Sequence, residues 1–116
     1  MKVATPEPLP TPGVKVVYRE LVSNLEKSLH KDPVLDIVRE YIMARVRFGQ
    51  EKYGCYLETN NGRDAINDAL QESIDLCMYL YQKILEEGSN EVWELKLLYL
   101  RALFFLADLV RYSLKQ

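Results

Sequence analysis

Apolar residues recur at helical spacing in four stretches of the chain, and turn-forming residues separate these stretches. The first stretch runs from Val14 to His30, and its repeating apolar positions are Val17, Leu21, Leu25 and Leu29. This spacing predicts a first amphipathic helix over 14–30. His30 lies near the end of that helix, where a satisfied or solvent-facing role is expected rather than metal binding.

A second helix is predicted from Pro33 to about Lys52. Asp32 can cap the free backbone N–H groups at its start, and Pro33 suits the first helical turn. One face of this helix is apolar and consists of Val34, Ile37, Val38, Tyr41, Ala44 and Phe48. The following loop is rich in residues that tolerate left-handed or turn conformations, namely Gly54, Asn60, Asn61 and Gly62. The loop is short enough to fold the second and third helices into an antiparallel hairpin.

Acidic residues share one side of the third predicted helix, in the stretch from Asn61 to Tyr81. At about 100° per residue they fall within an arc of roughly 80°, and they are Asp64, Asp68, Glu72 and Asp75. No Lys or Arg lies between Asp64 and Tyr81 to offset their repulsion, which costs a helix roughly 0.2–0.5 kcal/mol per pair. The opposite side is apolar, with Ile66, Ala69, Leu70, Cys77, Leu80 and Tyr81. Two interpretations remain open, a solvated face or a stripe that lines a cleft.

The third helix is expected to end near Gly88, with a new cap at Ser89 or Asn90 and a fourth helix over 91–114. The run LLYLRALFFLADLV in this fourth helix is apolar on most sides, and only Arg101 and Asp108 interrupt it. It is too short and too interrupted to span a bilayer. A helix this apolar needs cover on more than one side, so we expect a homo-oligomer interface.

These elements predict an all-α fold, a four-helix antiparallel bundle that follows an extended arm. Residues 1–13 carry prolines at alternate positions, Pro6, Pro8, Pro10 and Pro12. These prolines exclude a helix and favour an extended, polyproline-like arm, which is either disordered or lies across a partner subunit. Residues 14–116 form a single helical domain in this interpretation, because 116 residues suffice for one core.

Composition narrows the classes of partner. The net charge is −2 with 48% apolar residues, so the chain has no overall basic character and nucleic acid is disfavoured. We see no secretory signal and expect a cytoplasmic protein without a membrane partner. The differing settings of Cys55 and Cys77 indicate two reduced thiols. The chain has no Gly-rich phosphate loop and no Ser/His/Asp or Cys/His set.

The acidic stripe suggests a divalent metal site. Glu72 and Asp75 are one helical turn apart and can hold one ion between them, since Mg²⁺ is bound by a few carboxylates, waters and substrate phosphates. Glu40 and Glu51 on the second helix are the acids that would complete the site. Such an ion could hold a polyphosphate and activate a water molecule to attack phosphorus.

Residues around the loop are candidates for binding a nucleotide. Arg47, Lys52 and Arg63 could contact phosphate oxygens. Aromatic and amide side chains nearby could contact a base or sugar, namely Tyr53, Tyr56 and Asn61. At each of these loop positions a turn-forming or packing role is the alternative.

The motifs in this region resemble the MazG-like nucleotide pyrophosphohydrolases of phages and bacteria. The chain carries a KYG…NGRDA…DAxxExxDLxxYL pattern, from Lys52 to Leu80, and the resemblance covers about Asp36 to Glu86. The glycines, the charged residues and the spacings between them all agree with the pattern of these enzymes. The pattern is that of a short branch of the family.

The resemblance implies an all-α NTP pyrophosphatase that assembles as a dimer or tetramer. Such enzymes cleave a (d)NTP between the α and β phosphates and release the monophosphate and pyrophosphate, with Mg²⁺ as cofactor and Mn²⁺ as substitute. The ExxD element of the family falls on Glu72 and Asp75. Glu40 would be the third catalytic acid, and the resemblance adds Asp68 and Glu51 to the metal site.

The chain departs from the family at the upstream ExxE element. Glu40 is followed at i+3 by Met43, and Glu51 by Gly54. An ExxE pair does occur at Glu91, but it follows the ExxD element and is explained by the helix dipole. Two hypotheses remain: an enzyme that builds its site from single acids, or a non-catalytic nucleotide-binding or oligomeric interaction protein that retained the fold.

Overall fold

Four α-helices make up most of the computed structural model, which describes residues 13–27, 32–90 and 92–116. The helices are α1 (Val17–Glu26), α2 (Pro33–Tyr53), α3 (Ala65–Glu87) and α4 (Trp93–Leu114). The prediction of an all-α fold is confirmed for these residues. Packing groups them into two compact units, an N-terminal unit within 13–63 and a C-terminal hairpin within 64–116. The predicted arm, residues 1–13, lies outside the described residues except for Gly13.

The ends of α2 form as local sequence predicts. The Val34 N–H donates to Asp32 Oδ1 at 2.9 Å, and Pro33 is the first helical residue. At the other end Gly54 adopts a left-handed conformation, with φ of 74°, and its N–H donates to the Gln50 carbonyl at 2.8 Å. An L-residue with a side chain would be strained there. The helix therefore ends at Tyr53, one residue beyond the predicted Lys52.

The first helix is shorter than predicted at its start, because residues 14–16 lie outside it and pair with the loop that precedes α3. The Val14 N–H donates to the Thr59 carbonyl at 2.9 Å, and the Thr59 N–H donates to the Lys15 carbonyl at 2.8 Å. The Val17 N–H donates to the Leu57 carbonyl at 2.8 Å. Backbone groups that satisfy each other across this pair are not available to a helix. The predicted end at His30 lies outside the described residues.

Aromatic and ionic contacts join the elements of the N-terminal unit. The rings of Tyr18 and Tyr56 are 5.1 Å apart, so Tyr56 has the packing role that was the alternative to base contact. Arg39 of α2 forms an ion pair with Glu26 of α1 at 3.3 Å. Exposed pairs of this kind contribute at most about 1 kcal/mol. Neither α1 nor α2 has a buried residue along its described length.

The apolar face of α2 is exposed in the described part of the chain. Tyr41 is 73% exposed, and Val34 is 56% exposed. The other exposed members of the face are Ile37, Val38, Ala44 and Phe48. Hydrophobic spacing identified a helix here, but it did not identify what covers its apolar side.

The C-terminal hairpin contains the buried apolar residues of the described chain, namely Leu70, Cys77 and Ala102. Tyr81 lies six residues before the end of α3 and Tyr99 six residues after the start of α4. Their rings are 5.3 Å apart, so the two helices run antiparallel. Buried or half-buried residues of α4 include a series at heptad spacing, Leu95, Tyr99, Ala102, Leu106, Leu109 and Ser113, and Lys96, Ala107 and Val110 beside it are half-buried as well. This repeat is typical of two helices packed along a shared seam.

The connection between α3 and α4 differs from prediction in one respect. Gly88 ends α3 with φ of 62°, as expected. Ser89 and Asn90 do not cap α4, because the Asn90 N–H instead donates to the Glu87 carbonyl at 3.1 Å. Val92 precedes the first helical residue and makes no side-chain cap hydrogen bond. Both cysteines are free, Cys55 exposed and Cys77 buried, and no described helix is long and apolar enough to cross a membrane.

The pairing of residues 14–17 with 57–59 predicts opposite effects of two glycine substitutions. A Cβ at Gly13 would overlap the Thr59 carbonyl, whereas a Cβ at Gly49 within α2 meets nothing within 4 Å. Gly13→Ala should lower the free energy of unfolding by about 1–3 kcal/mol, as overpacking does. Gly49→Ala should raise it by about 0.5–1 kcal/mol through helix propensity. Urea denaturation followed by circular dichroism measures both. A Gly13→Ala variant as stable as the parent would contradict the pairing.

Candidate functional site

The acidic stripe of α3 lacks the first of its four predicted acids and starts at Asp68. Asp64 lies outside the helix as its N-cap, and its Oδ1 accepts from the N–H groups of Ile66 at 3.0 Å and Asn67 at 3.2 Å. An Asp at this position satisfies donors that have no partner in the helix. Asp64 therefore belongs to the start of the helix and not to its acidic stripe.

The remaining stripe consists of Asp68, Glu72 and Asp75. Asp68 lies half-buried in the first turn of α3, where a carboxylate interacts favourably with the helix dipole. Glu72 and Asp75 are exposed. No described Lys or Arg forms an ion pair with either of these two side chains. Both carboxylates of this pair are therefore accessible to solvent.

The stripe lies on the side of α3 that faces away from α4. At about 100° per residue, the mean direction of the three acids is nearly opposite that of Leu70 and Cys77, which are buried in the hairpin. The apolar side predicted opposite the acids is thus partly confirmed: its members Ile66, Ala69 and Leu80 are half-buried. Tyr81 is 47% exposed although its ring contacts Tyr99.

The carboxylates of α3 suit a hard divalent cation that takes its other ligands from water and substrate. Among the described residues no three Asp, Glu, His or Cys side chains come close enough together to form a metal site. Glu72 and Asp75 supply two carboxylates one turn apart. Mg²⁺ is commonly bound in this way, by one or two carboxylates, several waters and substrate phosphates. The residues present therefore fit such an ion, with most of its ligands drawn from solvent and substrate.

The acids predicted on α2 are also solvent-accessible. Glu40 and Glu51 are both exposed. Glu40 and Arg47 line one shallow depression of about 500 Å³ on the surface of α2, together with Arg39, Tyr41, Met43 and Ala44. A carboxylate and a guanidinium are therefore near each other on this helix.

Two of the predicted nucleotide-binding residues lie together at the C-terminal end of α2. The Lys52 ammonium is 5.2 Å from the ring centre of Tyr53 and 6.0 Å from that of Phe48. Tyr53 is 65% exposed. Sequence reasoning missed Arg45, whose guanidinium lies 4.9 Å from the Phe48 ring. Its i,i+3 spacing from Phe48 was the available signal, because residues three apart on a helix are neighbours.

Asn61 and Arg63 belong to the turn that leads into α3. Asn61 is 7% exposed, and its Oδ1 accepts from the Arg63 N–H at 3.1 Å. An Asn side chain that bonds the backbone two residues ahead forms an Asx-turn. This geometry gives Asn61 the turn-forming role that was the alternative to substrate contact. The Arg63 side chain is half-buried in the same turn.

The cap geometry predicts how Asp64 responds to substitution. Asp64→Ala should lower the free energy of unfolding by about 0.5–2 kcal/mol, because two N–H groups lose their acceptor. Asp64→Ser is the matched control and should lie within a few tenths of a kcal/mol of the parent, since Ser caps about as well. Thermal and urea unfolding measure both. Equal losses for the two variants would show that the cap is not what Asp64 contributes.

The hairpin thus brings two exposed carboxylates together on one helix face, while basic and aromatic candidates cluster at the end of α2. Asn61 and Asp64 of the NGRDA motif are engaged in building the turn and the helix start. Comparison with protein-family models, curated proteins and solved structures finds no match for this chain.

Proposed function

We propose that this chain is a Mg²⁺-dependent nucleoside triphosphate pyrophosphohydrolase, which converts a (d)NTP and water to the monophosphate and pyrophosphate in the nucleotide pool. The observation that carries the proposal is the pair of exposed carboxylates of Glu72 and Asp75, which have no ion-pair partner among the described cations. The resemblance of the surrounding motifs to MazG-like enzymes supports it. The same proposal includes a four-helix antiparallel bundle of the MazG-like type, a cytoplasmic location and assembly as a homo-oligomer.

Glu72 and Asp75 are the residues that would hold Mg²⁺, with Asp68, Glu40 and Glu51 as further candidate ligands. When bound, the ion would offset the charge of the phosphates and lower the pKa of a coordinated water. Glu40 is the candidate to accept a proton from the attacking water.

The cluster at the end of α2 has the chemistry to bind the rest of the nucleotide. Lys52 and Arg47 would donate to phosphate oxygens, as would Arg63. The exposed ring of Tyr53 offers a stacking surface for a base, and every base has a π-face that can use it.

The proposal predicts that isosteric removal of either carboxylate stops turnover. Glu72→Gln and Asp75→Asn should each reduce pyrophosphate release from (d)NTPs by about 100-fold or more, since even outer partners of metal ligands cost 10–100-fold. Glu86→Gln is the matched control on the exposed surface of α3 and should keep the parental rate. Circular dichroism confirms that all three variants stay helical. No pyrophosphate from any nucleotide with either Mg²⁺ or Mn²⁺, or full rates in the two site variants, would overturn the proposal.

One observation favours the non-catalytic alternative. Among the described residues, no three side chains that could bind a metal ion lie close together. Metal titration separates the hypotheses without relying on turnover. A site that binds the folded protein raises its stability by RT ln(1 + [Mn²⁺]/Kd), about 2.7 kcal/mol at 100 times Kd. Mn²⁺ should therefore raise the melting temperature above that in NaCl of equal ionic strength, and Glu72→Gln should remove the difference. Equal stabilisation by the two salts would indicate general screening of the acids and no metal site.

A further inference from the structure

α4 carries a second apolar seam on the side opposite its contact with α3. This outer seam consists of Trp93, Leu97, Leu100 and Phe104, at spacings i, i+4, i+7 and i+11. At about 100° per residue, its mean direction lies nearly opposite the face that packs on α3. The four side chains are 74%, 49%, 44% and 66% exposed, respectively. Alternating steps of four and three residues are the repeat by which two helices interlock in a coiled coil.

We propose that the outer seam pairs antiparallel with the same seam of a second copy of this chain, related by a two-fold axis. A two-fold axis requires a surface that is complementary to itself, and the seam meets this requirement when Leu97 of one copy lies opposite Leu100 of the other. Trp93 then lies opposite Phe104, and all four layers of the contact are apolar. The pairing rests on the homo-oligomer included in the proposed function and names its interface. Its test measures association and not turnover, so failure of the pairing and failure of the catalytic function are distinguishable.

The charged residues beside the seam favour the same partner and the same register. Glu94 and Arg101 lie on one flank of the seam, and neither forms an ion pair with any described residue. In the register just described, Glu94 of each copy lies within about 3 Å, along the axis, of Arg101 of the other, since a residue rises about 1.5 Å. The two-fold axis therefore creates two interchain ion pairs from groups that have no ion-pair partner among the described residues.

Neighbouring registers are less favourable. Sliding one copy by seven residues in one direction brings Glu94 beside Asp108 of the other copy and Arg101 beside Arg101. Like charges placed together oppose association. A further slide of seven residues brings Arg101 beside Asp108, but Asp108 is already paired with Arg111 at 2.7 Å. That register also places Arg111 against Leu100 in the seam. The first register is thus the one that satisfies both the apolar layers and the charges.

The pairing leaves the acids of α3 accessible. Glu72 and Asp75 lie on the side of α3 away from α4, whereas the outer seam lies on the side of α4 away from α3. The two surfaces therefore lie on opposite sides of the hairpin. A dimer through the outer seam presents two copies of the acidic stripe to solvent.

Charge reversal tests the proposal through the composition of the dimer. In a homodimer of the Glu94→Arg variant, an arginine at position 94 of each copy meets Arg101 of the other copy. In a homodimer of the Arg101→Glu variant, a glutamate at position 101 of each copy meets Glu94 of the other copy. Each variant alone should weaken dimerisation by about tenfold or more. An equal mixture of the two should restore it to within about threefold of the parent, because every contact is then a pair of opposite charges. Sedimentation equilibrium of the full chain measures the dissociation constants, and circular dichroism checks that the variants stay helical.

A double variant supplies the matched control. Asp108→Arg combined with Arg111→Asp reverses two charges on the same helix but keeps their internal ion pair, so dimerisation should stay at the parental level. Leu100→Lys should yield a monomer, because it places a charge at the centre of the seam. The chain has a single tryptophan, and it lies in the seam. On dilution of the parent, its emission should therefore shift to the red as the dimer dissociates.

Three outcomes would overturn the proposal. The first is a parent chain that stays monomeric at about 100 µM. The second is a mixture of the two charge variants that associates no better than either alone. The third is a loss of association in the Asp108/Arg111 control as large as in the single variants, which would indicate a register other than the one proposed.

Discussion

A helix can bury only one side against one neighbour, and this constraint governs the C-terminal hairpin. α3 and α4 share one heptad seam, which buries Leu70, Cys77 and Ala102. α4 has apolar residues on its far side as well, where Trp93 is 74% exposed. Burial of apolar surface is the dominant favourable term in folding and in most association. The side of α4 that α3 leaves uncovered is therefore the surface from which the inferred self-association follows.

The same geometry places the candidate metal-binding acids of the hairpin on a different side of α3 from the residues that pack in its core. α3 uses its inner side for the core and presents Glu72 and Asp75 outward, while α4 presents its second seam on the opposite side. Two like charges exposed to water repel each other only weakly, so the helix tolerates them without a cation. Their position costs little stability and keeps both carboxylates available. A divalent ion or a substrate that needs hard oxygen ligands can reach them without any rearrangement of the core.

The motifs that resemble a nucleotide pyrophosphohydrolase serve local structure as well as candidate chemistry. Gly54 and Gly62 both have positive φ, 74° and 84°. Asn61 forms the Asx-turn, and Asp64 caps α3. In this chain the KYG…NGRDA pattern therefore serves in part to end one helix and to start the next. The resemblance in chemistry depends mainly on the two acids that follow, and for this reason the proposed activity is assigned to Glu72 and Asp75.

Local sequence by itself determined the four helices, the caps at Asp32 and Asp64, and the glycine ends at Gly54 and Gly88, because each depends on residues a few positions apart. It also placed the candidate acids on one helix side. Only the tertiary structure decided that residues 14–16 leave the first helix to pair with the loop at 57–59, since such contacts depend on which distant backbone groups meet. It likewise decided which apolar sides are buried. Periodicity shows that a helix has an apolar side, whereas the number of neighbouring helices decides how much of that side is covered.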